Sequence, residues 1–144
     1  MLNPEAWSAV RLSLALAGGA TVLVLPFGLA LGWLLARRRF PGKFLLELLV
    51  LLPLVLPPTV TGYGLLVLFG RHGPLGALEF LFTWKAMLVA AAVVGLPLLV
   101  RSAQAAFAAV DPKLAAAART LGCSRVRAFF RVTLPLAWPG LLAG

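Results

Sequence analysis

Long apolar runs alternate with short basic or glycine-rich connections along the chain, and the runs set the elements. No charge falls between Arg11 and Arg37, so 12–36 reads as a first helical span, long enough at 1.5 Å per residue to cross a hydrocarbon core of about 30 Å. A secretory signal peptide competes for this stretch, but its apolar region runs only about 7–15 residues behind a basic start. Residues 1–8 hold no basic side chain. The second run covers 44–69, with Glu47 near its start where a carboxylate still reaches the interface. A third covers 80–100, and its strictly charge-free part is 86–100. Lys85 at its edge can snorkel and Trp84 suits the interface. A fourth runs from 132 to 144 and onward. The pattern predicts an all-α integral membrane protein: three complete transmembrane helices, the start of a fourth, and a two-helix loop over about 101–131.

Prolines and glycines modify this picture. Pro53, Pro57 and Pro58 interrupt the second run, and each removes a backbone donor and opposes continuous helix. In lipid such a break survives only where neighbouring helices, hydroxyls or water take up the freed carbonyls. Thr59, Thr61 and Tyr63 stand beside it. Pro57, Pro58, Thr59 and Thr61 therefore read either as the border of a polar pathway, as in transporters with discontinuous helices, or as a kinked packing helix. Gly28 and Gly32 make a GxxxG pair that lets another helix approach closely. Between 70 and 85 the chain carries turn chemistry with Arg71, His72, Gly73, Pro74 and Gly76. His72 is a lone imidazole, read as a solvated loop residue because a metal site needs several convergent ligands.

Composition excludes the soluble alternatives. Of 144 residues 62% are hydrophobic and 12% charged, against about 45–50% and about 25% in soluble domains. A soluble chain near this length buries only about 70% of its surface, which cannot hide that excess, and a disordered chain is poor in such residues. The net charge of +9 would suit nucleic acid on a polar surface, but here it punctuates apolar runs, so no nucleic-acid partner is expected. One cysteine, Cys123, excludes a disulfide framework and reads as an inert thiol.

Charge also sets orientation. Arg37, Arg38, Arg39 and Lys43 follow the first span; Arg101, Lys113, Arg119, Arg125, Arg127 and Arg131 follow the third. The other exposed segments are nearly balanced, Glu5 with Arg11 and Glu79 with Arg71 and Lys85. Alternating topology puts both basic segments on one side, which the positive-inside rule makes cytoplasmic. The N-terminus is then outside.

Within the second basic segment, Asp111-Pro112 is a helix start, an N-cap acceptor followed by proline at the first position. Leu114, Ala117, Ala118 and Leu121 recur at i, i+3, i+4 and i+7, a narrow apolar stripe able to sit close against a partner. Gly122 ends that helix and Ser124 caps another, in which Val126, Phe129 and Phe130 share a face and Arg125, Arg127 and Arg131 are the polar part. Val132, Thr133, Leu134 and Pro135 lead back into the membrane. One reading is an interfacial helix whose arginines touch anionic membrane lipid, worth about 1 kcal/mol each. The other is a docking element gripped by a soluble partner, favoured by the glycine joint between two short helices.

Ala117-Ala118, three residues, Gly122, nine residues, then Val132-Thr133-Leu134-Pro135 resembles the EAA loop of type I ABC importer permeases. Among these the chain is similar to molybdate permeases through the stretches 36–42, 52–63, 69–76 and 118–122, so the likeness covers nearly all of it. The family's loop glutamate would fall at position 116, where this chain has Ala116. Members of this kind continue for two further spans, so the chain reads as a partial permease domain.

The resemblance implies a permease subunit of an ATP-driven importer for an oxyanion, molybdate foremost, with sulfate or tungstate as alternatives. It implies a cytoplasmic ABC ATPase, a second permease copy, an extracytoplasmic oxyanion-binding protein and a bacterial or archaeal cell membrane. The loop residues would be Leu114, Ala116, Ala117, Ala118, Leu121, Gly122, Val132, Leu134 and Pro135. No G-x-x-x-x-G-K-[ST] loop occurs, so no cofactor is expected on this chain, and ATP would sit on the partner. A non-transporting structural or regulatory membrane protein, pairing through Gly28 and Gly32, is the rival. A membrane enzyme would need ionisable groups within the spans, and Glu47 and Lys85 lie only at span edges.

Overall fold

A computed structural model describes residues 4–71, 73, 74, 76 and 83–143. His72 and the proposed beginning of the third span at 80–82 lie outside the described residues. Helix α1 is Pro4–Arg37, α2 Lys43–Val55, α3 Pro58–Phe69, α4 Trp84–Ala109, α5 Pro112–Thr120 and α6 Arg125–Ala128; a π-helical turn, Phe129–Thr133, then leads into α7, Leu134–Ala143. The described residues contain no strand.

Two helices, 5–37 of α1 and all of α4, are long and apolar enough to cross a membrane. The pair α2 and α3 passes the same test only together, and is bent by 106° at its break. Among the described residues there are thus two such helices, or three if the bent pair makes one span. The bend has a local cause. Pro57 is extended at φ −54° and ψ 142°, and Pro58 occupies the first turn of α3; Leu56, preceding a proline, is steered away from helix. Helix and apolar run do not share limits. Helix α1 begins eight residues before the charge-free run, and α4 continues past Val100 to Ala109, because charged side chains end contact with lipid without ending backbone hydrogen bonding.

The chain divides into two compact units. One comprises Met1–Pro26 and Leu48–Pro97. Its buried side chains are few, with Ala20, Val50, Ala92 and Pro97 among them, whereas Leu14, Val22, Val55 and Tyr63 are exposed. Such outward apolar surface is what a lipid-facing element requires. Gly19 admits Leu88 so closely that a Cβ there would lie 2.9 Å from its Cδ1.

The other unit comprises Phe27–Glu47 and Leu98–Gly144. Its core is Ala103, Ala106, Phe107, Val110 and Ala137, with Leu29, Trp33, Ala36, Phe129, Leu134 and Leu141 packed against it. Gly28 and Gly32 serve this packing: a Cβ on Gly28 would lie 2.5 Å from Leu99, and one on Gly32 2.5 Å from the Ala103 Cβ. The glycine pair is therefore engaged inside the chain, by α4. At one edge of the unit the Gln104 amide donates to Glu47 Oε1 (3.1 Å) and Arg101 donates to Gln104 Oε1 (3.3 Å). Lys43 Nζ lies 3.9 Å from Glu47.

Candidate coupling loop

The segment from Val110 to Pro135 is built by caps. Asp111, extended at φ −62° and ψ 123°, accepts a hydrogen bond from the Lys113 N–H at 2.8 Å, and Pro112 opens α5. At the other end Gly122 adopts φ +87°, a left-handed conformation that costs other residues about 1–2 kcal/mol. Its N–H donates to Arg119 O (3.1 Å) and that of Cys123 to Ala118 O (3.1 Å), the paired bonds of a Schellman ending. Ser124 accepts from the Arg127 N–H at 3.3 Å and starts α6. Both predicted caps and the glycine joint lie where the sequence puts them.

The π turn carries no such signal. The N–H of Leu134 donates to Phe129 O, five residues back. Pro135 lacks the N–H that would pair with Arg131 O, and its ring would crowd that carbonyl in a regular helix. A turn widened by one residue gives room for both. Phe129 holds it in place, its ring 5.8 Å from Trp33 edge-on and 5.9 Å from Phe107. A second clasp joins α1 to the end of α4: Arg37 Nη2 donates to Val110 O at 2.7 Å, where a cation meets the free carbonyls of a helix C-terminus. The arginine run was legible as charge, but its acceptor was not.

The stripe on α5 faces away from the chain. Leu114 and Leu121 are 47% and 86% exposed, and Ala116, Ala117 and Gly122 are exposed, with Ala118 half-buried. The opposite side, Pro112, Ala115 and Arg119, lines a cavity of about 660 Å³ together with Trp33, Arg37, Arg38, Arg125, Val126, Phe129 and Phe130. Leu134 packs on the core, Val132 is half-buried and Pro135 exposed. At the bend between α2 and α3, in the other unit, Pro57, Pro58 and Thr59 are exposed and Thr61 half-buried. The Pro57 carbonyl accepts from the N–H of Val60 (2.9 Å) and of Thr61 (3.1 Å), and the Thr61 hydroxyl reaches it at 3.5 Å. Thr61 thus helps to satisfy the break, whereas Tyr63 is 69% exposed. Among the described residues no three His, Cys, Asp or Glu side chains converge as metal ligands. The capped helix is suited to mechanical contact.

An apolar helical chain with helices long enough to cross a membrane and a short capped helix following them has the features of a transporter's membrane component. The chain belongs to the binding-protein-dependent transport system inner membrane component family, whose pattern matches residues 28–144, and it is an integral membrane protein. It is 48% identical, over 151 aligned positions, to the molybdenum transport system permease protein ModB of Escherichia coli K12, covering 100% of this chain and 66% of that one. To the molybdate/tungstate transport system permease protein WtpB of Thermococcus kodakarensis it is 40% identical, covering 99% and 55%. To the sulfate transport system permease protein CysT of Salmonella typhimurium it is 36% identical, covering 99% and 53%. The chain spans just under two thirds, or less, of the length of these relatives.

Proposed function

We propose that this chain acts as permease in an ATP-driven importer of an oxyanion, molybdate foremost. The observation that carries the proposal is the outward apolar stripe of α5, capped at both ends and uncovered within the chain. Leu114, Ala117, Ala118 and Leu121 seat in a groove of a cytoplasmic ATPase, and Ala116 brings no carboxylate to that contact. Closure of two ATPase subunits on ATP displaces α5. The Arg37–Val110 clasp and the Phe129 ring cluster pass the displacement to α1, α4 and α7. The bundle then switches between two packed states biased by nucleotide. A second permease copy completes the pathway, for which the exposed prolines and threonines at the α2–α3 bend are candidate border residues. A binding protein delivers the anion from outside.

The substrate follows the relatives' names. Identity falls from 48% with a molybdenum permease protein, through 40% with a molybdate/tungstate one, to 36% with a sulfate one. The decisive experiment is co-purification of the chain with a co-expressed cytoplasmic ABC ATPase subunit from the same organism. The native loop is expected to retain the ATPase. Gly122→Pro, which forces φ to about −65° and removes the N–H donated to Arg119, is expected to lose it. Retention by this variant would overturn the contact assigned to α5.

A further inference from the structure

The cavity beside α5 is lined by three arginines, Arg38, Arg119 and Arg125, that have no part in the transport cycle proposed above. Four arginines, Arg37, Arg38, Arg119 and Arg125, border it, and among the described residues no carboxylate does. Arg37 is engaged by Val110 O, while Asp111 caps α5 and Glu47 pairs with Lys43 and Gln104. These two are the only acidic residues of the unit, so Arg38, whose guanidinium lies 6.0 Å over the Trp33 ring, Arg119 and Arg125 line the cavity with no anionic counterpart in it among the described residues. Like charges gathered around one space raise each other's energy unless an anion enters. Apart from Thr133 the rest of the wall is apolar, with Trp33, Phe129 and Phe130 its large side chains, and Phe130 is 60% exposed. An occupant anionic at one end and apolar at the other fits this lining. Its depth agrees: the cavity opens where the apolar run of α1 gives way to Arg37 and Arg38, with Trp33 one turn earlier, the arrangement expected at a membrane–water border.

We infer that the cavity is a binding site for an anionic phospholipid, the phosphate held by Arg38, Arg119 and Arg125 and the upper acyl chain lying against Trp33 and Phe130. Because Arg119 belongs to α5 and Arg125 to α6, the lipid braces the loop from behind while the α5 stripe stays free on the other side. The leaflet concerned is cytoplasmic by the orientation proposed above, but the site itself does not depend on that orientation or on the ATPase.

The test uses the full chain with Trp33 as its one tryptophan (Trp7, Trp84 and Trp138→Phe), reconstituted in phosphatidylcholine vesicles with a minor fraction of brominated lipid in both leaflets. Brominated phosphatidylglycerol is expected to quench Trp33 at about fivefold lower mole fraction than brominated phosphatidylcholine. Arg119→Gln with Arg125→Gln should abolish that preference, and the matching lysine pair should keep most of it. Millimolar inorganic phosphate should leave quenching unchanged. Equal quenching by the two lipids, quenching by neither, or a preference that survives the glutamine pair overturns the inference. Relief by inorganic phosphate also overturns it, and assigns the cavity to a small anion.

Discussion

Glycines show how the same residue carries opposite consequences at neighbouring points of one helix. A Cβ on Gly32 would lie 2.5 Å from the Ala103 Cβ and 3.0 Å from the Gln104 N, whereas one on Gly18 would meet nothing within 4 Å. Gly32→Ala should therefore cost about 1–3 kcal/mol through forced separation of α1 and α4. Gly18→Ala should instead be neutral or gain about 0.5–1 kcal/mol. Thermal unfolding in detergent checks both, and a lowered melting temperature for Gly18→Ala alone would contradict the packing described. The GxxxG spacing was legible in the sequence, but whether its partner was internal or another chain was not, because spacing shows that a helix can approach and says nothing of which one. Gly122 poses a separate requirement, a positive φ. ATPase retention should fall in the order Gly122, Gly122→Asn, Gly122→Ala, Gly122→Pro, since asparagine enters the left-handed region more readily than alanine.

At the scale of elements, local chemistry was readable and tertiary packing was not. A helix as short as α5 is marginal alone, so its ends decide its stability. Asp111→Ala removes the bond to the Lys113 N–H and should cost about 1 kcal/mol. Amide exchange across α5 should accelerate about fivefold in consequence, while Asp111→Asn should stay near the native rate. These caps lie within a few residues of what they cap, which is why a motif in the sequence sufficed to find them. The π turn is the contrary case. Its cause, Pro135, was visible, but the choice between a kink and a widened turn depends on Phe129 meeting Trp33 and Phe107, residues far away in the chain. Val110 as the acceptor for Arg37 was hidden for the same reason.

For the whole molecule, the distribution of charge argues for a bent pair α2 and α3 that crosses the membrane, against one that returns to the side it entered. Helix α1 is long and apolar enough to cross, and a crossing leaves Arg37, Arg38, Arg39 and Lys43 behind it; α4 is too, and its crossing leaves Arg101, Lys113, Arg119 and the arginines of the following loop behind it. If α2 and α3 formed a re-entrant loop, these two basic segments would lie on opposite faces. Six of the chain's 13 lysines and arginines, Arg101 to Arg131, would then face outward, against the positive-inside rule. A crossing pair puts both segments inside and Arg71 outside. In intact cells a membrane-impermeant maleimide should therefore label Arg71→Cys in a Cys123→Ser background. It should reach Arg39→Cys in that background, and the native Cys123, only after permeabilisation. Protection of Arg71→Cys in intact cells would make the pair re-entrant, and labelling of Cys123 there would invert the orientation and place α5 beyond reach of any cytoplasmic ATPase.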